Sequence, residues 1–296
     1  MLATAGVALV IGASLLAVML GGWPDLGANG DPDARERTPT ARTDAFDSRR
    51  AWTDLRRQVE LGPRPAGSSA AGRLARWARG QLPDGRLERV SGGLANVVGT
   101  LRGSRPAVVV AAHYDTKEMA GFVGANDGAS ATAVVIELAR RMREVRRPAG
   151  APELRFVLFD GEESPDDAED FYSSGLRGSR AYAARHADEL GAVVLVDMVG
   201  DRGLRIPREA TSDRRLWARL RRAAREVGTL RTFPDATGVT LLDDHTPFLR
   251  AGVPAIDVID FDFDCWHRTC DDMSAVSEAS LDTVGETLAR MLERWR

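Results

Sequence analysis

Five short runs of apolar residues constrain this chain more than any other feature. They are 95–102 (ANVVGTLR), 106–112 (PAVVVAA), 154–159 (LRFVLF), 191–197 (GAVVLVD) and 254–259 (PAIDVI). Most are apolar without interruption, rather than alternating with polar residues. A strand that is apolar on both faces has to be covered on both, and parallel strands with helices above and below meet that demand. Helical patterns occupy the intervening stretches at 49–60, 68–82, 129–145, 176–188, 212–227 and 278–295. A Gly-Pro-Arg-Pro breaker separates the first two. The expected fold class is α/β, with a mostly parallel sheet between layers of helices. The 296 residues are ample for such a core.

The N-terminus is different in kind. Residues 2–20 are apolar and carry no charge, about the length needed to cross a bilayer. We expect residues 1–22 to be a membrane anchor or signal segment, attaching the protein to a membrane through 2–20 or directing its secretion. Either way the domain is extracytoplasmic. Residues 23–46 are rich in Gly, Pro, Asp, Arg and Thr without apolar periodicity, and read as a flexible linker. The folded domain is expected over 47–296.

The net charge of −3 speaks against nucleic acid as a partner, which calls for a strongly basic face. Among 40 basic residues there is a single lysine, Lys117, and it stands beside His113 and Asp115. The two cysteines, Cys265 and Cys270, are too few for a zinc ribbon. They are either a disulfide closing a very short loop or two free thiols.

Acids and histidines collect where the apolar runs end. His113 and Asp115 follow the run ending at Ala112, and Asp160, Glu162 and Glu163 follow Phe159. Asp197 closes the run 191–197, and the segment from Asp260 to His267 follows 254–259. Asp127 stands near the start of a helix. In open α/β sheets ligands bind beyond the carboxyl ends of the strands, so these residues converge on one edge. Carboxylates packed together repel, and a divalent cation relieves the repulsion. Mixed Asp/Glu/His donors suit zinc, with three protein ligands and an open position at a catalytic site. His267 and His113 are the histidines placed to ligate. His245, after Asp243 and Asp244, is placed to support.

Several segments together resemble the glutaminyl-peptide cyclotransferases and the zinc aminopeptidases of the same superfamily. They are HYDTK (113–117), FVGANDGAS (122–130), FDGEES (159–164), LLDDHTPFLRAGVPA (241–255) and WH (266–267), with GPRPAGS (62–68) and GSRAYA (178–183) fitting as well. The likeness runs in order from about residue 50 to the C-terminus. It implies a zinc-exopeptidase-like three-layer sandwich with a mixed, mostly parallel central sheet. It implies zinc held by Asp127, Glu163 and His267, with Glu162 as general acid/base and Asp197 and Asp244 as its acidic support. In the aminopeptidases His113 and Asp197 would hold a second zinc, with Asp127 bridging. One ion per chain is expected of a cyclotransferase and two of an aminopeptidase.

The substrates implied are the N-termini of peptides or proteins. The expected reaction is cyclisation of an N-terminal glutamine to pyroglutamate with release of ammonia; the alternative is hydrolysis of N-terminal residues by a zinc aminopeptidase. HYDTK with Lys117, FVGA, LDDHTPFLRAGVP and Trp266 look more like the cyclotransferases, and NDGAS somewhat more like the aminopeptidases. Trp266, Phe263 and Lys117 are the candidate pocket residues. Residues 164–175 and 260–265 depart from the animal cyclotransferases, and the cysteine those enzymes carry before the HYD segment is Ala112 here.

Overall fold

The computed structural model of the chain describes residues 38–165 and 169–295. Among the described residues six strands form one sheet: β1 (Arg86–Val90), β2 (Leu94–Leu101), β3 (Ser104–His113), β4 (Pro152–Phe159), β5 (Leu190–Asp197) and β6 (Ala255–Ile259). Their order is β1-β2-β4-β3-β5-β6. β4, β3, β5 and β6 run parallel, and β1 and β2 are antiparallel additions at one edge. The sheet is therefore mixed and mostly parallel, as expected.

Strand geometry explains why the runs are apolar throughout. Successive side chains point to opposite faces. In β3, Val108, Val110 and Ala112 join a large core, and Ala107, Val109 and Ala111 join a second core across the sheet. The first core is completed by α1 (Ser48–Glu60), α2 (Ser69–Gln81), α3 (Ala131–Glu144), α6 (Arg214–Val227) and α8 (Glu278–Glu293). The second is covered by α5 (Arg177–His186) and the short α7 (Thr246–Arg250), through Tyr182, Ala183 and Phe248. One-turn α4 (Phe171–Ser174) lies between β4 and α5.

Side-chain caps mark where helices start. Asp47 accepts from Arg50 N–H, Ser68 from Ala71 N–H, and Asp213 from Arg215 and Leu216 N–H. Each such cap stabilises a helix by about 1 kcal/mol. β1 is the strand that apolarity does not reveal. It is an edge strand in which only Val90 is buried, so nothing obliges it to be apolar.

Contacts with α8 begin ahead of the boundary expected at Asp47. Described residues within the expected linker, Thr43 to Phe46, are held by Glu286 of α8. Thr43 Oγ1 donates to Glu286 Oε2 at 2.6 Å and Phe46 N–H to Glu286 Oε1 at 2.7 Å; Ala45 N–H donates to the same carboxylate. Phe46 is buried against α8, where a methyl group on Gly285 would collide with its ring. Glu286 is itself buried and needs partners, and the preceding segment supplies them. The expected anchor (1–22) and residues 23–37 lie outside the described residues. Among the described residues no helix is long and apolar enough to cross a membrane.

Candidate metal centre and active site

Parallel strands place their carboxyl ends on one edge, and the site is built there. His113 is the last residue of β3 and Asp197 the last of β5. β4 ends at Phe159 and the chain turns at Gly161, whose φ of +75° favours glycine and where a Cβ would meet Leu94 and Arg177. The turn sets Glu162 and Glu163 beneath Asp115. The two oxygens of that buried carboxylate accept from Glu162 N–H at 3.1 Å and Glu163 N–H at 3.3 Å. Arg177 holds the same turn from the other side, donating to Glu163 O at 2.8 Å.

Asp127 lies in a tight turn of π type, Ala125–Ser130, before α3, and departs from helical geometry with ψ of 105°. Gly128 follows with φ of +88°. A Cβ there would meet Asp115 O at 2.7 Å and His113 Cε1 at 3.2 Å, so glycine is what lets Asp127 approach His113. Buried Arg64 braces this turn from outside. Its guanidinium donates to Gln58 O, Gly62 O and Val123 O, while its backbone N–H bonds Thr116 Oγ1 at 2.9 Å.

Two triads result, and they share Asp127. One is Asp127, Glu163 and His267, the other His113, Asp127 and Asp197; within each, donor atoms lie within 4.8 Å of one another. His267 Nε2 is 3.6 Å from Asp127 Oδ2 and 3.4 Å from Glu163 Oε1. His113 Nε2 is 3.2 Å from Asp127 Oδ1 and 3.2 Å from Asp197 Oδ1. Zinc bonds of roughly 2.0–2.2 Å at tetrahedral angles set neighbouring donors about 3.3–3.6 Å apart. The first triad fits a zinc ion in donor type and spacing. The second is about as close, and Asp127 turns one oxygen toward each imidazole.

The electrostatics agree with that reading. Burial, then Glu163, pushes Glu162 well above its ordinary pKa; Asp243 and Asp244 add to this against His113. Asp197 rises to about 7 through burial, opposed by His113 and reinforced by Asp243 and Asp127. Burial and then Asp127 raise Glu163, against His267. Burial works against a charge on His113, but Asp197, Asp115 and Asp127 outweigh it and raise its pKa well above the usual imidazole value. Protons thus gather where negative charge is crowded, which is the position a divalent cation would take over.

Asp243 is the acid that the sequence reading passed over in favour of Asp244. Both raise Glu162, and Asp243 also presses on Asp197. Asp244 is completely buried and raised well above its ordinary pKa, first by burial and then by Asp243. His245 does not reach either triad. It is buried among Glu209, Thr211 and Asp257, at 3.4, 3.0 and 3.6 Å.

The loop after β6 brings in His267, which adopts a left-handed φ of +52°. Trp266 stacks on it with ring centroids 4.3 Å apart and 26° between planes, and leans on Phe261; the indole remains 38% exposed. Phe263 packs with Met198 and Ile259 underneath the loop. Lys117 Nζ donates to Ser164 O at 3.1 Å and lies 4.0 Å from Glu163 Oε2, on the edge of the first triad. The two cysteines, left open between thiols and a bridge, are joined as Cys265–Cys270. Asp271 was not singled out from the sequence. Its carboxylate accepts from Asn126 N–H at 2.6 Å and Asp127 N–H at 3.0 Å. Its only sequence signal is being one more aspartate after His267. Asp260 is buried away from the triads and accepts from Arg205 N–H at 2.6 Å.

A mostly parallel sheet whose carboxyl edge gathers two imidazoles around one carboxylate, with a buried glutamate alongside, defines a zinc-exopeptidase-like α/β protein. The chain belongs to peptidase family M28, whose model matches residues 96–292. It is similar to the glutaminyl-peptide cyclotransferase of Boiga irregularis, 28% identical over 240 residues that cover 66% of this chain and 63% of that protein. This chain therefore spans less than two thirds of the length of that relative. Among solved structures, Porphyromonas gingivalis glutaminyl cyclase aligns with a TM-score of 0.72 and 27% identity, over 84% of this chain and 99% of that one. A leucine aminopeptidase precursor from Bacteroides thetaiotaomicron shares the fold, with a TM-score of 0.75 and 22% identity over 88% and 99% of the chains.

Proposed function

We propose that this chain is a zinc-dependent glutaminyl-peptide cyclotransferase, closing the N-terminal glutamine of peptides or proteins to pyroglutamate with release of ammonia. The observation that carries this reading is Trp266, an exposed indole lying flat on the imidazole of His267. It sets an apolar plate beside the first triad, where a bent glutamine side chain can lie and water is displaced. The cyclotransferase and cyclase names of the similar proteins support it.

Asp127, Glu163 and His267 would hold the zinc, which when bound supplies Lewis acidity at the side-chain amide of the substrate. Glu162 handles the proton. The α-amine attacks the amide carbon, a C–N bond forms, and Glu162 accepts the proton the nitrogen sheds. Glu162 then returns that proton to the departing amide nitrogen, which leaves as ammonia. A carboxylate suits both halves when its pKa is raised toward neutrality, and burial with Glu163, Asp243 and Asp244 raises that of Glu162. Lys117 steadies the edge of the ligand set through Ser164 O. Phe263 supports the loop on which Trp266 sits.

A second reading, a two-zinc aminopeptidase, is favoured by one observation. Asp127 offers an oxygen each to His113 and His267, the placement of a bridging ligand, with Asp197 completing the other side. A single experiment separates the two. The protein is given a peptide with N-terminal glutamine and, separately, one with N-terminal leucine. Pyroglutamate and ammonia from the first, with the second intact, is the expected result; free leucine would overturn it. Glu163→Ala and His267→Ala should lose zinc, and full metal occupancy in either would refute the ligand set.

The site of action we propose is outside the cytoplasm, with the domain held at a membrane through residues 2–20 or released from it. The Cys265–Cys270 bridge supports an oxidising compartment.

A further inference from the structure

His267 is the ligand with the least support from the fold. Asp127 is locked in a turn at the head of α3 and Glu163 is clamped by Asp115, but His267 belongs to a run of turns outside any helix or strand, and its side chain is 28% exposed. It adopts φ of +52°, a region uncommon for residues other than glycine, though less so for Asn, Asp and His. Its neighbours are the exposed Trp266 on one face and the edge of Phe122 at 6.2 Å. Backbone bonds around it are few: Trp266 N–H to Phe263 O at 3.1 Å, Arg268 N–H to Cys265 O at 3.0 Å and Asp271 N–H to Arg268 O at 3.0 Å.

What closes this loop is covalent. Cys265 and Cys270 lie five residues apart in sequence and bracket Trp266 and His267. Cys265 packs against the small apolar cluster of Met198, Ile259 and Phe263, which fixes one end of the bridge. Asp271 follows the other end at once and grips the backbone of Asn126 and Asp127, while its own carbonyl accepts from Ala125 N–H. The bridge therefore joins the residue before Trp266 to the residue before Asp271. It reaches the metal site twice, through His267 directly and through Asp271 into the turn of Asp127.

We infer that Cys265 and Cys270 are positioning residues for the metal centre: their disulfide holds the His267 loop, and through Asp271 the Asp127 turn, in ligating geometry, so that opening it weakens metal binding while the domain stays folded. This rests on Asp127, Glu163 and His267 being the ligands. A six-residue loop constrains the unfolded chain less than a long one, so its closure contributes less to global stability than a bridge between distant segments would. Its larger effect is local, because an imidazole that is free to wander has to be ordered again each time the ion binds. Outer elements that orient a ligand commonly govern metal affinity about 10- to 100-fold. Reduction by a water-soluble phosphine opens the bridge cleanly. The S–S bond breaks, two thiols form with two protons from water, and the water oxygen passes to phosphorus as the phosphine oxide.

The test measures zinc affinity by chelator competition on the oxidised protein, on the Cys265→Ser/Cys270→Ser variant and on His267→Ala. The visible spectrum of the cobalt-loaded forms reports ligand geometry. The expected result is a serine variant that binds zinc about 10- to 100-fold more weakly, with an altered cobalt spectrum and a metal-free melting temperature close to that of the parent. If the serine variant matches the parent in affinity and spectrum while His267→Ala is impaired, the ligand set stands and the positioning role falls. If His267→Ala binds as tightly as the parent, the ligand set itself is wrong. Should the serine variant fail to fold, the phosphine-reduced parent, freed of reagent, is compared in its place and decides the same question.

Discussion

Asp271 holds Asp127 by its backbone. One carboxylate oxygen accepts the Asp127 N–H at 3.0 Å and the other accepts Asn126 N–H at 2.6 Å. The turn that presents Asp127 between His113 and His267 thus depends on a residue that touches neither imidazole. Replacing Asp271 with Asn leaves one acceptor oxygen for two buried donors and removes the charge. Zinc affinity of Asp271→Asn should fall about 10-fold or more, read by chelator competition, with the far-ultraviolet circular dichroism unchanged.

Glu162→Gln separates binding from chemistry. The amide keeps the shape of the carboxylate and spares Glu163, whose N–H is fixed by Asp115. It can no longer take and return a proton. Turnover of an N-terminal glutamine peptide should fall about 10²- to 10⁴-fold, while zinc content by atomic absorption stays that of the parent. Activity near the parental level would remove Glu162 from the proposed role.

Acidity offers a test away from the metal. Asp260 is raised from 3.8 to about 8, chiefly by burial and then by Asp201, against bonds from the Arg205 and Asp262 N–H groups. A carboxyl whose folded pKa lies above its unfolded value binds its proton more tightly when folded. Its stabilising contribution is fully present below pH 3.8 and is lost as pH rises through about 8. The urea midpoint of the metal-free protein should therefore carry a downward slope between these limits. Asp260→Asn should remove its share, at most about 1.4 kcal/mol per pH unit. Equal slopes in parent and variant would contradict the assignment.

Phe46 tests where the folded body starts. Its ring is buried against Gly285 on α8, and its N–H bonds Glu286. Phe46→Ala should cost about 3–5 kcal/mol, seen in chemical denaturation. A chain beginning at Asp47 should be destabilised as well, because Glu286 would lose the Thr43, Ala45 and Phe46 donors together.

The sequence by itself determined the α/β class, the core strands and the edge at which the site forms. The reason is periodic. Strands apolar on both faces need helices on both sides, and parallel strands put all their carboxyl ends together, so His113, Glu162, Glu163 and Asp197 could be collected without coordinates. Asp127 and His267 were legible through the ordered motifs around them. Only the tertiary structure decided the rest, because each remaining fact is a contact between segments whose spacing carries no pattern. Asp243 and Asp244 are adjacent in sequence, and how strongly each acts on Glu162 and Asp197 is settled by how the loop folds. Residues 38–46 look like a linker because their partner, Glu286, lies some 240 residues away and is met largely by backbone N–H groups, which leave no mark on side-chain composition. Cys265 and Cys270 could have been thiols. The turn that brings them together, with His267 between them, runs straight on into Asp271, which closes on Asp127.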